Sequence, residues 1–172
     1  MLKSPGAALT DGLVSLREIS RGDVEVLYDW RMHPESRAMF RTTSAVPYDV
    51  HLRLLDEYFQ RDSSDCWFLI EAAGQPVGAI SLLNFDQEGA ACQAGRLVIA
   101  PEQRGNGYAR RAFKLLLEYA RSIGVCQLYC EVLASNAIVI RLTRSLGFVD
   151  MAVRSEGGRS FIELRCDLRS LV

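Results

Sequence analysis

Two hydrophobic periods take turns along the chain. Leu13–Ile19 reads as a short first strand. Over Gly22–Met32 the apolar set Val24, Leu27, Tyr28 and Trp30 predicts a helix that Pro34 ends. Pro47–Phe59 predicts a second helix, with Val50, Leu54, Leu55 and Tyr58 on one side. Apolar runs at Cys66–Ala72 and Val77–Asp86 flank Gly74-Gln75-Pro76 and predict a hairpin, and Cys92–Ala100 predicts the next strand. The clearest helical pattern is Tyr108–Ile123, where Ala109, Ala112, Phe113, Leu116, Ala120 and Ile123 recur at three- and four-residue spacing before Gly124. A strand over Cys126–Ala134 follows, then a helix from Ser135 or Asn136 to Leu146 closed by Gly147. Strands Val149–Arg154 and Arg159–Leu168 around Gly157-Gly158 complete the order β-α-α-β-β-β-α-β-α-β-β. No repeat or linker interrupts this order. Residues 1–12 read as a flexible tail and 13–172 as one domain with both α and β structure.

Composition narrows the chemistry. A net charge of -1 over 172 residues gives no global field to draw in nucleic acid, so any anion site must be local. Five cysteines, four of them within apolar strand-like runs, do not suggest a disulfide framework and read as small buried hydrophobes. There is no CxxC pair, and His33 and His51 are far apart in sequence, so no metal site is expected. No apolar run approaches a membrane span or a signal peptide, which predicts a protein of the reducing cytoplasm without a membrane partner.

The candidate chemistry centres on Pro101–Phe113, PEQRGNGYARRAF, where a strand runs through two glycines into the clearest helix. It is neither a Walker A loop nor GxGxxG. Arg104-Gly105-Asn106-Gly107-Tyr108-Ala109 can still cradle an anion, because glycines let successive amides turn inward and a helix N-terminus carries partial positive charge. Spacing alone equally allows a tight strand-to-helix turn without a ligand.

Arg104-x-x-Gly107-x-Ala109 resembles the acyl-CoA signature of the GCN5-related N-acetyltransferases (GNAT). SNAIVIRLTRSLGF, Ser135–Phe148, resembles that family's closing motif, an Asn after the fifth strand and a helix ending in Gly-Phe. The likeness extends from Leu13 to Leu168. It implies a seven-stranded, mixed and mostly antiparallel sheet, splayed between strands four and five, with helices on both faces. It also implies acetyl-CoA as co-substrate. The pyrophosphate would lie on the amides of Arg104, Gly105, Asn106, Gly107, Tyr108 and Ala109, and the pantetheine along the edge of Leu97, Val98 and Ile99 as an added strand. An amide near Ile99 would polarise the thioester carbonyl, and Asn136 would touch the pantetheine arm while also capping its helix. Homodimers occur in the family.

Glu131 matches the family's general base. An isolated Glu has a pKa of about 4.3, so partial burial or relay through water is needed for it to take an ammonium proton. Its alternative role is a solvated strand carboxylate. Thr143 stands where the family places a tyrosine that protonates the departing sulfur. Thr143, water or another tyrosine such as Tyr129 would have to replace it. A thiol pKa of about 8.5 makes unassisted departure tolerable. A non-catalytic acyl-CoA binder is the remaining alternative.

For the acceptor, Trp30-Arg31-x-His33-Pro34 and the segment that follows it resemble the amino-sugar N-acetyltransferases of the pseudaminic acid pathway, which act on a UDP-linked amino-dideoxy sugar. Trp30, Arg31, Phe40, Tyr48 and His51 are the implied acceptor residues, cations for phosphate and rings for sugar or base. Trp30 could equally be core. Similar Trp-Arg segments occur in ribosomal-protein N-terminal acetyltransferases and polyamine acetyltransferases. Arginines outnumber Glu35 and Asp49 in this stretch, which disfavours a polyamine acceptor; a protein N-terminus stays open.

Overall fold

Alternation along β3 (Cys66–Ala72) divides the protein into two layers. Phe68 and Ile70 point into one core and Leu69 into the other, each fully buried. The computed structural model describes residues 8–60, 65–86 and 90–170. The strands are β1 (Leu9–Thr10), β2 (Val14–Glu18), β3, β4 (Gln75–Asp86), β5 (Ala91–Ile99), β6 (Gln127–Leu133), β7 (Val149–Glu156) and β8 (Arg159–Asp167). Among the described residues they form one sheet in the order β1-β2-β3-β4-β5-β6-β8-β7, in which only the β5–β6 pair is parallel. The helices are α1 (Val24–Met32), α2 (Pro34–Met39), α3 (Tyr48–Gln60), α4 (Tyr108–Ser122) and α5 (Ala137–Arg144). On one face α4 contributes Ala112, Phe113, Leu116 and Ala120, and α5 contributes Ile140. On the other, Leu27 and Trp30 of α1 and Leu55 of α3 pack on Leu69, Ala79 and Ala100.

The mixed sheet with helices on both faces agrees with expectation, but it has eight strands rather than seven. Part of the expected tail is held. Leu9 and Thr10 pair with Leu16 and Ser15 as a short edge strand, and Asp11 accepts the amides of Leu13 and Val14 at 3.0 and 2.8 Å to turn the chain back. Two residues are too few to show a period. Residues 1–7 of that tail lie outside the described residues. Pro34 both ends α1 and occupies the first turn of the unforeseen α2, where its missing N–H costs nothing. On α3, His51 and Leu55 face inward while Val50 and Leu54 are exposed, a rotation from the expected face.

Helix ends follow the glycines. After α4, Gly124 has φ +89°, Gly124 N donates to Arg121 O at 3.1 Å and Val125 N to Ala120 O at 3.0 Å. After α5, Gly147 and Phe148 repeat the pattern onto Arg144 O and Thr143 O. No described helix is long and apolar enough to cross a membrane.

Candidate active site

The parallel β5–β6 pairing lasts three residues, Ala91↔Gln127, Cys92↔Leu128 and Gln93↔Tyr129. Beyond it β5 stays with β4 as far as Gly78↔Ile99 and β6 stays with β8 as far as Leu133↔Phe161. The sheet therefore opens into a V with its vertex at Gln93 and Tyr129. Ala100 N donates to Val77 O at 2.9 Å, so by the alternation of a strand's amides the Ile99 amide turns toward the V. The Leu97–Ile99 edge is thus open to an added extended segment.

This edge leads into the glycine loop. Gly105 (φ +84°) and Gly107 (φ +77°) hold left-handed conformations, and a Cβ on either would meet nothing within 4 Å. They are needed for their backbone angles, which aim the loop, and not for room. Gly107 is the residue before α4 and has no side chain to cap the first-turn amides of Tyr108, Ala109 and Arg110. An open edge, left-handed glycines and an uncapped helix N-terminus together fit a pantetheine diphosphate. The Arg104 side chain is engaged elsewhere. It ion-pairs with Glu35, donates to Ser36 Oγ at 2.7 Å and lies 3.4 Å from Ile99 O. Its backbone amide also donates, to Pro101 O at 3.4 Å, so the unengaged amides of the cradle begin after Arg104. The Asn106 side chain donates to Gln103 O at 3.1 Å.

On the β6 arm, Tyr129 and Glu131 point away from the α4 core that takes Leu128, Cys130 and Val132. Glu131 lies directly across from Glu163 of β8. The two carboxylates differ. Both oxygens of Glu163 are taken, by Arg165 and Arg154 at 2.8 and 3.1 Å, and the residue is buried. Glu131 is half-buried and one oxygen bonds Arg41, which also bridges to Glu156. Burial pushes the Tyr129 phenol pKa upward. Asn136 accepts the Val139 amide at 3.3 Å through Oδ1, the expected cap. Thr143 does not match its expectation. It is 0% exposed, and Oγ1 lies 3.0 and 3.1 Å from the carbonyls of Val139 and Ile140, to which it donates. A β-branched residue at this turn of α5 folds back on its own helix, away from the cleft.

The five implied acceptor residues separate. Arg31, Phe40 and His51 line one cavity of about 150 Å³ with Trp67, Arg96, Val98 and others. Trp30 is instead buried in the core beside Leu27 and Leu55. Tyr48 stacks edge-on to Tyr28 at 4.9 Å and lines a separate depression with Arg21, Glu25 and Asp56. His51 is buried with Nε2 3.0 Å from Val24 O, and burial holds its pKa below the ordinary imidazole value. The sequence reading missed Arg96 and Trp67, whose guanidinium and ring stack 3.7 Å apart. The signal was a lone arginine after Gly95 in an apolar strand, a pattern that marks bulges. It also missed Arg159, which reaches from the β7–β8 turn to the carbonyls of Ala38, Phe40 and Arg41 at 2.9, 2.8 and 3.0 Å.

Residues 24–148, which hold the glycine loop, both arms of the V and the end of α5, match the model of the Acetyltransferase (GNAT) family. The chain belongs to that family and is an N-acetyltransferase that uses acetyl-CoA. Among its relatives, the spermidine N(1)-acetyltransferase of Escherichia coli K12 is 28% identical over 138 residues, 78% of this chain and 72% of the relative. Acetyltransferase PseH of Campylobacter jejuni is 30% identical over 95 residues, 55% of this chain and 57% of the relative. In fold the chain is similar to the Vibrio cholerae spermidine N-acetyltransferase solved with CoA and spermine, with a TM-score of 0.84 at 19% identity, covering 92% of this chain and 98% of that one.

Proposed function

We propose that the enzyme acetylates the primary amine of a nucleotide-linked amino-dideoxy sugar. The observation that carries this reading is the convergence of Arg31, Phe40 and His51, from three separate segments, on one cavity beside β5 that no Asp or Glu among the described residues lines. A polyamine would bring several positive charges to arginines with no compensating carboxylate in that lining. The resemblance of Trp30-Arg31-x-His33-Pro34 to amino-sugar N-acetyltransferases supports the same acceptor class. Spermidine is the second reading, favoured by the E. coli relative.

When bound, acetyl-CoA supplies the activated acetyl thioester. The amides of Gly105 to Ala109 and the Leu97–Ile99 edge would hold it, with Asn136 at the pantetheine arm. The Ile99 amide donates into the V toward developing negative charge. Glu131 takes the proton that the acceptor ammonium must lose, through water, because its second oxygen takes no hydrogen bond from the described residues. Glu163 is unsuited to this task because both its oxygens are already occupied. Water replaces the family's tyrosine as proton donor to the departing thiolate, since Thr143 is turned away.

The test is acetyl-CoA-dependent thiol release with a UDP-amino-dideoxy sugar, an N-terminal peptide and spermidine. Release with the nucleotide sugar alone is expected, and release with spermidine alone overturns the acceptor assignment. Glu131→Gln is expected to lower kcat by about 10²- to 10⁴-fold with acetyl-CoA affinity unchanged. Unchanged kcat would remove Glu131 from the proton path.

A further inference from the structure

A bulge in β5 sets up the most unusual feature of the acceptor cavity. Cys92 and Ala94 face the α4 core, so strict alternation would send Arg96 there too. The register slips instead. Ser81 pairs with Gly95 and Ala79 with Val98, leaving Ile80 opposite both Arg96 and Leu97. Arg96 takes the left-handed φ of +54°, rare for a side-chain-bearing residue. After the slip Leu97 and Ile99 face the α4 core, while Val98 and Arg96 face α1 and α3.

There the polar groups are unbalanced. Arg96 Nη1 is buried without a hydrogen-bond partner among the described residues, and so is Nε1 of Trp67 beneath it. Across the cavity Arg31 sits over the Phe40 ring at 5.0 Å and forms no ion pair among the described residues. His51 Nε2 is already committed to Val24 O. Ser81 supplies a buried hydroxyl. Both guanidiniums are desolvated, and for Arg96 burial, opposed by Asp65 and aided by Arg31, pulls the pKa down to about 10. Among the described residues, a lining with three unengaged donor groups and no carboxylate lacks an acceptor. At about 150 Å³ it admits one small group and not a nucleotide.

We infer that Arg31 and Arg96, backed by Trp67, form an oxyanion subsite that receives a single carboxylate or phosphate group of the acceptor. The subsite rests on the acetyltransferase reading only for its role in the reaction. For a nucleotide sugar, the non-bridging oxygens of one phosphate meet the arginines at the cavity mouth, while the nucleoside and the sugar stay outside. For an amino acid or sugar phosphate, the whole anionic end enters. In either case the anchored anion positions the amine from the α1–α3 side.

The experiment titrates inorganic phosphate and, separately, acetate into the full chain by calorimetry and Trp fluorescence, with Trp67→Phe to assign the signal. Binding of either probe to the wild type is expected, with affinity lower by about tenfold or more in Arg96→Met and Arg31→Met. Arg96→Lys keeps the charge but not the planar stacking and is expected to lose less. Equal binding by folded Arg96→Met and the wild type, or no binding of either probe to the wild type, overturns the subsite. If Arg96→Met does not fold, the Arg96→Lys and Arg31→Met titrations decide, and wild-type affinity in both overturns it. A preference for phosphate indicates a phosphorylated acceptor, and a preference for acetate an amino carboxylate. Anion binding that depends on Arg96, in a protein that releases no thiol with any acceptor, upholds the subsite and counts against the reaction proposed above.

Discussion

Gly78 is the position from which the spacing of the cofactor edge can be tested. It faces Ile99 across the β4–β5 ladder. A Cβ there would stand 2.4 Å from the Val98 carbonyl oxygen, 2.9 Å from Ile99 Cδ1 and 3.2 Å from Ile99 Cα. The Ile99 side chain can rotate away, but the Val98 carbonyl moves only with its strand. Ordinary contact begins at 3.4 Å, so Gly78→Ala requires β5 to retreat by about 1 Å. Overpacking against backbone at a buried site costs about 2–3 kcal/mol. The displaced stretch is the proposed pantetheine edge, so acetyl-CoA affinity should fall about tenfold, a loss of ~1.4 kcal/mol. Urea unfolding measures the first quantity and calorimetric titration of CoA the second. Gly74→Ala is the control. Its φ of +73° makes alanine strained, but a Cβ meets nothing within 4 Å, so stability should fall without a change in CoA binding. A Gly78→Ala protein within ~0.5 kcal/mol of wild type, with unchanged CoA affinity, would refute the reasoning. Lost stability with intact affinity would separate the edge from cofactor binding.

Thr143→Val should leave turnover unchanged and cost about 1 kcal/mol or less, because its hydroxyl serves only helix carbonyls; a hundredfold loss in kcat would restore Thr143 to the chemistry. Thr143→Tyr should destabilise by about 1–3 kcal/mol, since the position has no exposed surface to receive the ring, and denaturant midpoints will report it. Burial lowers the His51 pKa below that of the unfolded chain, so the unfolded state binds more protons. Its contribution is therefore neutral above the ordinary imidazole pKa and increasingly destabilising as pH falls through it. His51→Gln should flatten stability against pH on that acid side, and parallel curves for the two proteins would contradict this.

Elements with a sustained period are legible in the sequence. The α4 stripe, the β3–β4 hairpin and the glycines that end α4 and α5 all stand where the pattern puts them, because period and left-handed caps are local properties. What is not legible depends on parity or on distant partners. One extra residue at Arg96 reverses the side chains that follow it, and nothing local reveals which face then receives the arginine. The motif assigns Trp30 to the acceptor, yet helical spacing equally allows the core where it resides. Thr143 occupies the motif position of a tyrosine, but a short side chain folds back on its helix where a long one would reach out. Arg159 lies more than a hundred residues from the carbonyls it holds, beyond the range of any sequence pattern.

The segment after α1 is fastened to both arms of the V. Glu35 and Ser36 are held by Arg104 on the β5 side, while Arg159 holds the carbonyls of Ala38, Phe40 and Arg41 from the β8 side, and Arg41 grips Glu131 and Glu156. The sheet itself joins those arms through only three residue pairs. The segment proposed to bind the acceptor is therefore also a tie-rod across the proposed cofactor cleft. Whatever displaces it alters the width of the opening, so on the proposed sites occupancy at the acceptor and at the cofactor would be reciprocally linked, and each ligand's affinity would become a gauge of the other's presence.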